Sequence, residues 1–359
     1  MTMRCVLAVT VTAALVLAGC GAMESAEYYW QSASGQLDLV ARAKPIPEVI
    51  AETSDTALKR RLSRVQAMRT FASKDLALPD NASYTRYTDL DRPFVVWNVF
   101  ATPELSLQPR QWCFPIAGCV SYRGYFREAE ARAEADRLRA AGDDVAITGV
   151  PAYSTLGYFD DPVLSTFVRW PEPEVARMIF HELAHQVVYV KDDTQFNESF
   201  AVAVEEAGLE RWLKAEGDAA MEQYRARSLQ QRAAFRALTR EARVELAAVY
   251  ASAAPDDQKR TRKAQVLAAM RERFERAKAG EAGLVGYDRW FAGYAGGGPN
   301  NASLASSALY SAQVPAFRTL LTQEGGDMPR FYERVKALAL LPKADRTAAL
   351  QKLGAEGAP

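Results

Sequence analysis

The sequence predicts an α+β chain, mainly helical, with a small β-sheet set ahead of a helix–turn–helix. Three observations predict it. Aromatic and β-branched runs cluster between residues 84 and 148, a charged, alanine-rich segment at 127–141 interrupts them, and from 172 onward almost everything has helical texture. At 359 residues there is room for one large domain or two modest ones. The 49% hydrophobic and 25% charged residues are those of an ordinary folded globular protein. Lys plus Arg (44) balances Asp plus Glu (44), so no net field favours nucleic acid or an acidic partner. Charges of both signs interleave across 222–280, which reads as a solvated helix face and not as a nucleic-acid surface.

The N-terminal segment differs from the rest. Arg4 is followed by an apolar run from Val6 to Val16 and then by Leu17-Ala18-Gly19-Cys20. A basic start and a run of roughly 10–15 apolar residues form an export signal, too short to span a bilayer durably. The ending resembles the bacterial lipobox, so residues 1–19 are expected to be removed as a signal peptide and the Cys20 thiol to carry a lipid. Gly21 follows, where an Asp would resemble an inner-membrane retention signal; the outer membrane, facing the periplasm, is the expected destination. Export also places Cys113 and Cys119 in an oxidising compartment. The five residues between them include Pro115 and Gly118, which can turn the chain back and let the pair bond, two reduced cysteines being the alternative. A zinc ribbon needs a second cysteine pair, and none exists.

Taken in order, residues 20–80 are expected to hold two helices, 24–44 and 54–76, broken near Pro45 and Pro47. The second carries Leu58, Leu62, Val65, Met68 and Phe71 at the three-to-four spacing of one buried stripe. Strands are expected at 94–100 and 120–126, followed by a helix at 127–141 that Gly142 terminates and a strand at 145–148. Residues 84–158 thus form a small α/β region. In the helical region, 172–359, Pro173 occupies a first turn, and that helix should run to about Tyr189. Further helices are expected at 197–215, 218–252, 256–280, 301–323, 328–339 and 343–353.

The chain contains only two histidines, in Phe180-His181-Glu182-Leu183-Ala184-His185-Gln186. Histidines four apart lie about 40° apart around a helix, so both imidazoles can reach one metal ion. The glutamate beside the first can take a proton from water activated by that ion. A structural pair of core histidines is the bland alternative. A catalytic zinc needs a third protein ligand and an open position. Glu198, at the start of the next expected helix in Phe196-Asn197-Glu198-Ser199-Phe200-Ala201, can face back across the turn Lys191-Asp192-Asp193-Thr194. Asn197 or Glu198 could instead cap that helix. Glu205, further along, is a candidate to hold a histidine ring in place. A donor for a developing oxyanion is also expected, and no histidine remains for it. The candidates are Tyr310, after the Gly-rich Gly296–Pro299 segment and Asn300-Asn301, and Tyr153, just ahead of the histidine helix. Residues 151–158 could instead pair as an extended strand with a peptide.

His-Glu-Leu-Ala-His-Gln followed by Asn-Glu-Ser-Phe-Ala resembles the gluzincin branch of zinc metallopeptidases. More narrowly, the chain resembles a bacterial lipoprotein family described as aminopeptidases. It does so over most of residues 20–350, through Cys113-Phe-Pro-Ile-Ala-Gly-Cys119, Tyr122-Arg-Gly-Tyr-Phe126, Ala152-Tyr-Ser-Thr-Leu-Gly-Tyr158, Asp161-Pro162 and Asn300-Asn-Ala302. The resemblance implies a zincin-like catalytic helix–turn–helix. With the motif it gives one Zn2+ per chain on His181, His185 and Glu198, Glu182 as general base, and a peptide or protein substrate. An endopeptidase, an amidase acting outside peptides, and a lipid-anchored scaffold with a non-catalytic zinc share the same residues.

Overall fold

The computed structural model describes residues 27–114, 118–280, 283–284, 286–293, 297–309 and 312–357. The expected signal peptide, Cys20 and Tyr310 lie outside these residues. The architecture is mainly helical with a few small sheets, the α+β class that the sequence predicts. Among the described residues no helix is long and apolar enough to cross a membrane.

Helix α1 (27–42) buries Gln31 and Leu39. Its Gln31 amide closes a strand edge, donating to the Gly124 carbonyl at 3.3 Å and accepting from the Phe126 N–H at 2.9 Å. Pro47 does not break a helix as expected; it sits in the first turn of α2 (Ile46–Glu52), where the missing N–H has no partner to lose. In α3 (Thr56–Lys74), Asp55 caps the N-terminus by accepting from Ala57 and Leu58, and Leu58, Leu62, Val65 and Met68 are buried as one stripe.

The main sheet has the order β6-β3-β7. Its centre is β3 (Val96–Pro103), antiparallel to β6 (Arg123–Tyr125) and to β7 (Asp143–Val150). Alternation along β3 assigns its two faces. Trp97, Val99 and Ala101 pack on Ala131, Ala135 and Leu138 of α4 (Glu128–Ala140). Val96, Asn98 and Phe100 face a cavity on the other side. The run 120–126, expected as one strand, is split between two sheets. β5 (Gly118–Val120) pairs with β4 (Trp112–Phe114) in a hairpin closed by the Cys113–Cys119 disulfide, and only β6 joins β3. The disulfide pins the first half of the run to its own hairpin. Tyr122, at the crossing, turns its ring toward Phe100 at 5.5 Å. A second small sheet, β1 (Lys44–Pro45), β2 (Arg86–Thr88) and β8 (Val163–Leu164), leads into the short helix α5 (Ser165–Val168).

Helices α6 (Glu172–Ala184) and α7 (Thr194–Glu216) lie at the centre of the largest core cluster. The first ends at Ala184, five residues before the expected Tyr189. The Asn197 side chain explains the stop: it accepts from the Val190 N–H at 2.7 Å and donates to the Val190 carbonyl at 2.8 Å, closing a loop that further helix would have to run past. Two long helices, α8 (Ala219–Ala251) and α9 (Asp256–Ala279), form a hairpin in which Leu238, Ala242 and Leu246 meet Met270 and Phe274. After α10 (Asp288–Ala292), the expected helix 301–323 is two, α11 (Asn301–Leu309) and α12 (Val314–Gln323). Pro315 is tolerated in a first turn but not in a helix interior. The chain closes with α13 (Met328–Ala339) and α14 (Lys343–Glu356).

Candidate metal centre

One face of helix α6 is apolar, with Ile179, Phe180, Leu183 and Ala184 fully buried. Against that background His181, Glu182 and His185 are also buried. Helix α7 starts on a cap from Asp193, which accepts from Phe196 N–H at 3.3 Å, so neither Asn197 nor Glu198 is needed for capping. Glu198, in the first turn, is buried and faces both rings.

His181 Nε2 lies 3.3 Å from His185 Nε2 and 3.3 Å from Glu198 Oε2. The remaining edge, His185 Nε2 to Glu198 Oε2, is 3.8 Å. Donors about 2.0–2.1 Å from a tetrahedral zinc stand roughly 3.3 Å apart, so the triangle has the size such an ion requires. Two imidazoles and a carboxylate also leave one tetrahedral position open. Among the described residues these three form the group able to hold a metal ion.

Further groups set the donors in place. His181 Nδ1 lies 2.8 Å from Glu205 Oε2; a carboxylate only accepts, so Nδ1 carries the hydrogen and Nε2 points at the triangle. Glu205 in turn accepts from Arg177, one turn before His181 on α6. Arg177 also donates to Glu174 at 2.8 Å, and Arg232 of α8 donates to Glu174 at 2.7 Å. A chain of alternating charge thus runs from α8 through α6 to the metal centre. Burial pushes Glu205 up, but Arg177 and His181 outweigh it and hold the carboxyl down at about 2. Burial works against a charge on His181, yet its bonds to Glu198 and Glu205 raise it well above the ordinary histidine value. His185 is pulled down by burial to about 4, leaving its ring neutral, as a metal ligand must be. Carboxylates that favour a proton on His181 favour a metal cation in its stead.

Glu182 differs from the other two glutamates. Burial, followed by the charges of Glu198, Asp161 and Glu205, pushes it up to about 8 against the opposing effect of His181. It faces a cavity of about 740 Å³, lined by apolar side chains from β3, β7 and α1 and by the three metal-ligand candidates. Tyr153 also lines this cavity, but its hydroxyl donates to Gln36 of α1, and the charges acting on it are those of Asp161 and Arg92. Tyr122 lines the same cavity, and burial first, then the charges of Glu198, Tyr189 and Glu182, raise its hydroxyl. Sequence reasoning missed Arg177 and named Tyr122 only within a motif of the family resemblance. Arg177 had a legible signal, four residues before His181 on the same helix face. Tyr122 had no local signal, because only the crossing between the two sheets places it on the cavity wall.

A buried His-His-Glu triangle on a helix–turn–helix, beside a buried glutamate and a large cavity, is a candidate metal centre. Residues 27–350 match the model of a family described as "Putative aminopeptidase", and the chain belongs to that family. No curated protein and no solved structure matches the chain.

Proposed function

We propose that this chain is a zinc-dependent peptidase of gluzincin type, anchored by a lipid on Cys20 to the outer membrane and facing the periplasm. The donor triangle of 3.3, 3.3 and 3.8 Å on His181, His185 and Glu198 is the observation that carries the reading. When bound there, zinc would supply Lewis acidity and a water acidic enough to lose its proton near neutrality. Glu182 would take that proton and pass it to the leaving amine; burial raises its carboxyl above the ordinary range, which makes it a stronger base once the charge of a bound ion favours its ionised form. Tyr122 donates to the oxyanion as it forms. Arg177 and Glu205 keep the His181 ring from rotating. The apolar walls exclude water and seat substrate side chains.

Glu182→Gln tests the reading, with zinc measured by mass spectrometry and hydrolysis measured on a peptide library. One zinc per chain in both proteins, with a loss of roughly 10²–10⁴ in turnover for the variant, is the expected result. Equal turnover in the two proteins would remove Glu182 from the chemistry, and absence of zinc from both would remove the metal.

The family description points to removal of N-terminal residues, and one feature favours cleavage within a chain instead. Four acidic residues line the cavity among the described residues: Glu174, Glu182, Glu198 and Glu205. Two face the metal centre, and the other two are bound by Arg177, so none is left to hold a substrate α-amine. Peptides with free and acetylated N-termini separate the two. A fall of tenfold or more on acetylation marks an aminopeptidase, about 1.4 kcal/mol or more of amine recognition; equal rates mark an endopeptidase.

A further inference from the structure

We infer that the exposed apolar face of α1 lies on the phospholipid surface to which Cys20 tethers the chain, an inference that rests on the lipid anchor and not on the peptidase reading. Helix α1 has two apolar faces. One is built into the protein: Gln31 and Leu39 are buried, and Gly35 lies so close to the Phe126 ring that a Cβ there would meet it at 2.2 Å. The other carries Trp30 (76% exposed), Leu37 (62%) and Tyr29 (45%). Trp30, Ala33, Leu37 and Ala41, all exposed, recur at the spacing of one helical stripe, about 16 Å long. Core packing has no use for this stripe, because the core face of the helix is already filled.

The tether argues for the occupant. Six residues separate Cys20 from Glu27, so even a fully extended connection places the first turn of α1 within about 25 Å of the lipidated sulfur. A connection this short holds the helix at an effective concentration near millimolar against the bilayer, and a few apolar side chains then suffice to orient it. The exposed aromatic residues stand at the tethered end, and Trp and Tyr are the side chains that settle at the membrane–water boundary. Glu27, Asp38 and Arg42, exposed beside the stripe, make no basic patch, so the contact is apolar and independent of anionic lipid. Because Tyr28 and Ser32 of the same helix line the cavity, this docking holds the cavity beside the bilayer.

The test uses the full-length lipidated protein in vesicles of phosphatidylethanolamine and phosphatidylglycerol whose acyl chains are brominated, reading tryptophan fluorescence in the wild type and in Trp30→Phe. Mass spectrometry of the N-terminal peptide reports the lipid on Cys20. The expected result is quenching in the wild type that is lost in Trp30→Phe, unchanged by high salt and by the phosphatidylglycerol fraction. Equal fractional quenching in both proteins overturns the inference. So does cross-linking of two copies that Trp30→Asp with Leu37→Asp abolishes, which assigns the face to a second chain. A Cys20 without lipid removes the tether and overturns it as well. Zinc content and peptide cleavage, read on the same samples, report separately on the peptidase.

Discussion

The orientation of His181 depends on Glu205, and that of Glu205 on Arg177. His181 and Glu205 are buried and Arg177 is nearly so, so a break in the series leaves a charge without compensation. Arg177→Met should let Glu205 take a proton, free the His181 ring and weaken zinc binding by about 10–100-fold; competition with a chromophoric chelator measures it, and unchanged affinity would sink the proposed role. A second prediction concerns Asp161, also buried, whose carboxyl accepts from the Thr155 N–H at 2.9 Å and hydroxyl at 2.8 Å. Burial pushes it up from 3.8 to about 6. A raised carboxyl favours the folded state while protonated, so its contribution is complete below about pH 4 and is lost as pH rises through 6. Asp161→Asn, which cannot ionise, should therefore gain on the wild type between pH 4 and 6, by up to roughly 3 kcal/mol, and hold that gain above. Urea unfolding at a series of pH values reads the difference, and a difference flat in pH would contradict the prediction.

Among the helices, the α6–α7 contact determines whether the donors meet. Gly208 of α7 lies against α6 and the turn just past α3, where an added Cβ would come within 2.9 Å of Phe180 and 2.8 Å of Leu76. Gly208→Val should destabilise the fold by about 1–3 kcal/mol through overpacking, and it should also lower zinc affinity by pushing α6 away from Glu198. Unfolding and metal titration of the variant test both consequences; a stable protein of wild-type affinity would show that the contact yields elsewhere. The histidine helix and its partner were legible in sequence because H-E-x-x-H and Asn-Glu-Ser-Phe-Ala are local patterns on strongly helical segments. Their ends were less so. The stop at Ala184 depends on Asn197, and the division of 120–126 depends on which of two sheets each half reaches. Neither is a local property. The Cys113–Cys119 bond was readable from spacing and the expected export, but its position on the turn after α6 was not: there Cys119 N–H donates to Asp192, whose own backbone is left-handed (φ 66°).

For the chain as a whole, the donors come from α6, from its C-cap His185 and from α7, so a bound ion cross-links the centre of the largest core cluster. Zinc that binds the native state alone should stabilise it by about 2.7 kcal/mol at a hundred times its dissociation constant. Chelation should therefore lower the melting temperature by several degrees, and adding zinc, but not magnesium, should restore it; thermal scans with no chelator effect would separate the fold from the metal. The proportions of helix and sheet, the buried stripe of α3, the two histidines with Glu182 and the candidacy of Glu198 all follow from residue types at fixed short spacings, where backbone geometry alone relates the side chains. Glu205 was legible as a candidate partner of a histidine ring; which ring it holds, the place of Arg177 behind it, Tyr122 on the cavity wall and the second apolar face of α1 were not. Each depends on which elements meet, and that is set by how some 360 residues share their cores, a property no window of the sequence contains.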